Sequence, residues 1–304
     1  MTPFQRYLAE EVAEDHVDGI IPRREAMRRL GLLGFSVPAA VALLAACGAP
    51  EEGAAPTPTP APPSSATPAT PATPAGPSPL PTEEITFDGP ASTLMGAFAA
   101  APSPRGAVLV IHENRGLNDH TRSVAGRLAA AGYSALALDL LSREGGTTAV
   151  GEPGEATAAL NAATPERFIA DMKAALDELT RRTPGAKLGA VGFCFGGGMT
   201  WLLLSSGEPR LAAAAPFYGP LPDNANFSGT EAAVLGVYAE DDARVNATRD
   251  AATTALQQAN LQHEIVTYPN AGHAFFNDTG PRYNPTAAVQ SWEKLTTWFD
   301  QHLA

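Results

Sequence analysis

Gly192-Phe193-Cys194-Phe195-Gly196-Gly197-Gly198 is the stretch whose reading decides the fold. Leu188-Gly189-Ala190-Val191, short and mostly apolar, runs into it and reads as a strand. Met199-Thr200-Trp201-Leu202-Leu203-Leu204 runs out of it and reads as a buried helix. Cys194 therefore sits on a strand-to-helix turn. Gly192 and Gly196, two residues to either side, lack the Cβ that would clash in a sharp bend. This is the pattern of a nucleophile elbow, with Cys where Ser is usual. It would lift the thiol to the top of a sheet and aim a helix N-terminus at it, which favours thiolate. The rival reading is a buried structural cysteine on a glycine-rich bend, since free cysteines are often buried.

Outward from this turn, strands and helices alternate. Glu84–Phe87 and Leu94–Phe98 read as a small antiparallel pair. Ala107–Ile111 and Ala135–Asp139 are continuous apolar runs, as in strands buried on both faces. Thr121–Ala131 reads as a helix stopped by Gly132. Pro165–Arg181 reads as a second, with Phe168, Met172, Ala175 and Leu176 on one face. Leu211–Phe217, Ala233–Tyr238 and Glu264–Tyr268 supply further strands, and Asp250–Ala259 and Thr286–His302 further helices. The alternation predicts an α/β fold with a mainly parallel sheet and helices on both faces, its sites at the carboxyl ends of the strands.

Two more candidates fall at such ends. Asp242 follows a strand, in Glu240-Asp241-Asp242-Ala243-Arg244-Val245. His273 follows the last strand, in Ala271-Gly272-His273-Ala274-Phe275. The order nucleophile, acid, histidine is that of the α/β-hydrolase triad. A thiol needs a base to become thiolate, and a histidine needs an acid to fix its tautomer and support its cation. Each residue alone is a weak signal. Spacing does not decide between Asp241 and Asp242.

The chain has 304 residues, 44% of them hydrophobic, enough for one sizeable core. Its net charge of -12, with no basic patch in the part that reads as folded, argues against nucleic acid as a partner. The two cysteines, Cys47 and Cys194, lie in regions of different character, so no internal disulfide framework is implied.

Residues 1–47 read as an export signal. Arg23-Arg24-Glu25-Ala26-Met27-Arg28-Arg29 precedes an uncharged run from Leu30 to Ala46. The Arg pair resembles a twin-arginine signal, with Ala26 where Phe is commonest. Leu44-Ala45-Ala46-Cys47 resembles a bacterial lipobox, in which Cys47 becomes the lipidated first residue. The run of about 17 residues is short for a membrane span and carries Gly31, Gly34 and Pro38. Met1 to Ile21 form a long, net acidic leader with no assigned role. Residues 48–81, almost all Ala, Pro, Thr, Ser and Gly, read as a disordered tether that could carry sugar. Residues 82–304 form the catalytic domain. The expected protein is an exported lipoprotein, held on a membrane facing the periplasm or cell exterior. Its oligomeric state is left open.

Residues 82–304 resemble the dienelactone hydrolase family, on the strength of Gly192–Gly197, Asp242-Ala243-Arg244-Val245 and Ala271–Phe275. The resemblance implies hydrolysis of a lactone or ester by a Cys194-His273-Asp242 triad through an acyl thioester, with a small ester or lactone as the partner. It selects Asp242 over Asp241, because the family has Val or Ile three residues on. It implies that Glu113, in His112-Glu113-Asn114-Arg115, contacts the nucleophile, and that the backbone N–H groups of Asn114 and Phe195 form the oxyanion hole. It implies an Arg after the next strand for a substrate carboxylate, here Arg143, a role that suits the forked guanidinium. A second family arginine behind the histidine is absent. Phe275-Phe276-Asn277 stand there, and the next arginine is Arg282. Tyr218, after another strand, is a candidate pocket residue. No metal or organic cofactor is called for. The rivals are a broad-range carboxylesterase and a binding lipoprotein without catalysis. A redox role lacks a resolving cysteine in the folded domain.

Overall fold

The structure, a computed structural model, describes residues 3–47 and 74–304. The first segment is three helices: α1 (Pro3–Val17), α2 (Arg23–Leu32) and α3 (Val37–Cys47). The second is built on one sheet of eight strands: β1 (Glu83–Asp88), β2 (Thr93–Ala99), β3 (Gly106–Ile111), β4 (Tyr133–Asp139), β5 (Leu188–Phe193), β6 (Leu211–Phe217), β7 (Ala233–Asp241) and β8 (His263–Gly272). Their spatial order is β1-β2-β4-β3-β5-β6-β7-β8. β1 and β2 pair antiparallel, as expected, and so do β2 and β4. All other pairs are parallel. From β3 the chain goes to β4 on one side and later to β5 on the other. The carboxyl ends of β3 and β5 thus open a crevice where the strand order reverses, which is where open α/β sheets hold their sites.

Helices α4 (Asp119–Ala130), α5 (Thr147–Val150), α6 (Pro153–Ala162), α7 (Pro165–Arg182), α8 (Phe195–Ser205), α9 (Ala243–Asn246), α10 (Arg249–Gln258) and α11 (Pro285–Leu303) complete the fold. It is an α/β sheet covered on both faces. Several helices start where the side chains dictate. Asn118 caps α4 by accepting from Thr121 N, and Asn284 caps α11 by accepting from Ala287 N. Each such cap contributes about 1 kcal/mol. The predicted apolar face of α7 is buried, and Asp171 is buried with it. Strands β3, β4 and β5 are buried throughout, which explains their unbroken apolar runs.

Two boundaries differ from the sequence reading. The packed region begins before Thr82. Ala75 is buried with its carbonyl accepting from Arg127, and Leu80 N donates to Gly126 O. So residues 74–81 lie on the domain and are not spacer, because backbone pairing and the buried Arg127 hold them there. The rest of the expected tether, 48–73, lies outside the described residues. The uncharged run from Leu30 is also broken, between α2 and α3, where Gly34 has φ +87°. Among the described residues no helix is long and apolar enough to cross a membrane.

The N-terminal helices are not separate from the domain. Ala9, Val12 and Ala13 of α1 pack with Ala26 and Leu30 of α2 and Ala40 and Leu44 of α3. Tyr7 and Leu8 on α1 instead join the main core. α1 is therefore held between a small helical cluster and the carboxyl edge of the sheet.

Candidate active site

Cys194 lies between β5 and α8 with φ +56° and ψ -117°, a strained left-handed backbone for a side-chain-bearing residue. Its N–H donates to Phe217 O at the end of β6. The flanking glycines are required by close approach. A Cβ on Gly192 would lie 2.0 Å from Gly196 O, and one on Gly196 would lie 2.2 Å from Ile111 O on β3. The turn is thus pressed between the ends of β3 and β6, and Cys194 is only 2% exposed.

His273 follows β8 directly and is buried. Its Nδ1 lies 2.6 Å from Asp242 Oδ2. Asp242 follows β7 and caps α9, its other oxygen accepting from Val245 N at 3.2 Å. That cap is the physical reason for the three-residue spacing to Val245. Asp241 is exposed, so the geometry separates the two aspartates that spacing left open. Cys194 Sγ and a ring nitrogen of His273 lie within 4.8 Å of one another. The ring of Tyr218 meets that of His273 edge-on at 5.3 Å, and Tyr218 is fully buried, with φ +35°.

Glu113 and Asn114, at the end of β3, line the same cavity of about 140 Å³ as Cys194. Glu113 Oε2 accepts from Asn277 Nδ2 at 2.7 Å. Asn277 is one of the residues in place of the absent second arginine, and sequence reading assigned it no role. Phe195 opens α8 and is buried. Arg143 is not among the residues lining this cavity. Its guanidinium makes a two-point pair with Asp171 on α7, at 2.5 and 3.1 Å, and Asp171 is buried. Asp171 on the apolar face of α7 was the available signal, because a buried carboxylate needs a cation. Cys47 ends α3.

The feature that sequence reading missed is α1. The Tyr7 hydroxyl lies 3.2 Å from Cys194 Sγ and 3.5 Å from His273 Nε2. Glu11 Oε2 lies 3.4 Å from His273 Nε2 and 2.5 Å from Arg244 Nη2. Arg244 also bonds Glu14, and Arg282 bonds Asp15 and Asp18. Arg115 bonds Asp15 at 3.1 Å. Glu11, Glu14 and Asp15 of α1, with Asp18 just past its end, fall at i, i+3, i+4 and i+7, an acidic stripe along one helix face and its continuation. That spacing was the legible signal.

The charges shift the titrating groups. Burial raises the Cys194 thiol above its ordinary value, Glu11 adds to this, and His273 opposes it. Burial pushes His273 down, but Glu11, Asp242 and Cys194 outweigh it and hold the imidazole well above its ordinary range. Burial would raise Glu11, but His273, Arg244 and Arg282 bring it down to about 2. Glu11, Cys194 and His273 present ligand atoms close enough to share a metal ion. That set exists only while α1 is docked, since Glu11 belongs to it.

A strained cysteine on a strand-to-helix elbow, with a histidine–aspartate pair at the next strand ends, is the arrangement of an α/β-hydrolase. The sequence model of the Dienelactone hydrolase family matches residues 95–303. An Escherichia coli protein provisionally named a carboxymethylenebutenolidase is 31% identical over 225 residues, 68% of this chain and 83% of its own. A Saccharolobus solfataricus protein of the same provisional name is 30% identical over 253 residues, 71% of this chain and 97% of its own. The crystal structure of a provisionally assigned dienelactone hydrolase from Klebsiella pneumoniae superposes with a TM-score of 0.65 at 29% identity, over 73% of this chain and 98% of that one. A dienelactone-hydrolase-like promiscuous phosphotriesterase from metagenomic libraries superposes at 0.59 and 27%, over 73% of this chain and 98% of that one. The chain belongs to the dienelactone hydrolase family and is a hydrolase. The family match begins at residue 95, so α1, α2 and α3 lie outside it.

Proposed function

We propose that this chain hydrolyses a small carboxylic ester or lactone, of the carboxymethylenebutenolide type, through Cys194. The observation that carries the reading is the 2.6 Å contact between Asp242 and His273 Nδ1, which leaves Nε2 towards Cys194. With Nδ1–H held by the carboxylate, Nε2 is the basic nitrogen. It takes the thiol proton as Sγ attacks the carbonyl carbon. The tetrahedral oxyanion is held by the backbone N–H groups of Asn114 and Phe195, the latter at the start of α8, where N–H groups point out of the helix end. Collapse expels the alkoxide, which takes the proton back from His273 and leaves an acyl thioester. A water, deprotonated by His273, attacks that thioester and releases the acid and the thiol. Arg143 has no part in this scheme, because Asp171 holds its guanidinium.

The test is a panel of lactones and aryl esters with the purified full chain and its Cys194→Ala variant. Hydrolysis should fall by several powers of ten in a variant that keeps its fold, as for nucleophiles acting as a unit with their base. Near-normal turnover would sink the assignment. A broader carboxylesterase is the second reading. It is favoured by the apolar wall of Phe168, Met199 and Leu202 in a cavity of about 200 Å³ that Tyr7 and Glu10 of α1 also line, a wall that stays when α1 leaves.

The chain is also proposed to be exported and lipidated at Cys47. Exposed Arg23 and Arg24 support this, since an address must be accessible to be read. Cys47→Ser should release the domain from the membrane fraction or leave an uncut precursor. Unchanged fractionation and size would count against it.

A further inference from the structure

We propose that α1 is an internal inhibitor: in the uncut chain it closes the catalytic cavity, with Glu11 seated between Arg244 and Arg282 in competition with a carboxylate-bearing ligand. The inference rests on the reading of Cys194 as nucleophile. Tyr7 puts its hydroxyl against both reacting atoms, the thiol sulfur and His273 Nε2. No substrate carbonyl can reach Sγ on that side while the phenol is there. Glu11, buried, brings its carboxylate to the same imidazole and to two arginines. That is the recognition an anionic substrate would need, so the helix imitates a ligand rather than merely covering a surface.

Charge is matched along the whole seat. Arg115 and Arg282, from loops, and Arg244, on α9, each bond acids on one stripe that runs along α1 to Asp18 just past its end. Arg244 also lies over the Tyr7 ring at 4.5 Å. Position in the chain points the same way. α1 lies outside the family match and on the far side of Cys47, the residue read as the start of the lipidated protein. Cleavage before Cys47 would remove α1 with the signal, so the same cut that matures the lipoprotein would unmask its thiol. Until then Cys194 is both covered and held as thiol.

The test uses the full chain in a Cys47→Ser background, so that Cys194 is the one thiol left. Leu8 is fully buried in the seat of α1 and has no part in the catalytic or binding groups. Leu8→Asp should undock α1. Alkylation of Cys194 by iodoacetamide and hydrolysis of 4-nitrophenyl acetate should then both rise about tenfold or more, because the closed state had limited the competent fraction. Hydrolysis of mono-4-nitrophenyl glutarate, which carries a free carboxylate, should rise further. A synthetic peptide of residues 1–21 should restore slow alkylation, and the same peptide with Glu11→Ala should do so less well. If Leu8→Asp disturbs the fold, as read by circular dichroism, Glu11→Ala in the full chain replaces it, with a severalfold rise expected. Equal alkylation and turnover in the starting chain and a folded variant would overturn the proposal. A variant whose thiol opens but which cleaves no ester leaves the masking intact and overturns the hydrolase reading instead.

Discussion

The strand ends and helix α1 bring the same kinds of side chain to one thiol, but hold them by different means. Asp242 and His273 are fixed by backbone: each follows a strand directly, and Asp242 also caps α9. Tyr7 and Glu11 come from a helix held by arginine–carboxylate pairs and a few buried apolar side chains. Backbone pairing in a buried sheet opens only with the fold. A docked helix with partly exposed ion pairs opens locally and at lower cost. Under the proposed reading the difference separates catalysis from its control: the rigid set would have to survive turnover, and the other would have to leave before it.

The first way to break this comparison is to damage the rigid set. Asp242→Asn keeps the side-chain shape but turns an amide N–H donor towards His273 Nδ1, which selects the tautomer with its proton on Nε2. The expected loss in turnover is about ten-thousandfold, the scale seen when a triad carboxylate is replaced by its amide. Because Asn can still cap α9, the thermal midpoint should move little. A loss of tenfold or less, measured on an aryl ester with the α1-undocked chain, would mean that the acid is not Asp242.

Legibility in the sequence divides along the same line. Cys194, Asp242 and His273 could be found because each is tied to a strand end, and strands announce themselves by apolar runs such as Ala107–Ile111. Gly192 and Gly196 were legible because only glycine fits where two backbones nearly touch. The seat of α1 was not legible in this way. Its arginine partners lie 100 residues or more away in sequence, 233 for Glu11 and Arg244, and no local pattern encodes which arginine meets which acid. The acidic stripe was visible, but an acidic helix face is ordinarily just solvated. Arg143 shows the reverse case. A family position suggested a ligand role, while a buried Asp171 on α7 had already claimed the charge. Residues 74–81 read as spacer by composition, yet Arg127 and Gly126 pin them, a long-range contact that composition cannot show.

The smallest expected effect gives the sharpest comparison, because it sets two carboxylates against each other. Burial raises the Cys194 thiol most. Glu11 and Glu113 both raise it further, Glu11 more strongly than Glu113, while His273 opposes them. Glu113 belongs to the rigid set, at the end of β3, and Glu113→Gln can keep its bond to Asn277. Removing a negative neighbour favours thiolate, so the midpoint of alkylation against pH should move to lower pH. Below that midpoint the thiol should react faster, about tenfold for every pH unit by which the midpoint falls. In the starting chain Glu11→Gln should move the profile further than Glu113→Gln. In the Leu8→Asp chain, where α1 has left, Glu11→Gln should move it no further, while Glu113→Gln keeps its effect. That is the non-additivity expected only of the residue that undocks. The measurement is the iodoacetamide rate from about pH 5 to pH 10 for each substitution in both backgrounds, a range that brackets the ordinary thiol value. If Glu11→Gln acts equally with α1 docked and undocked, the two carboxylates do not differ in how they are held. If Glu113→Gln leaves the profile in place, its carboxylate does not act on the thiol.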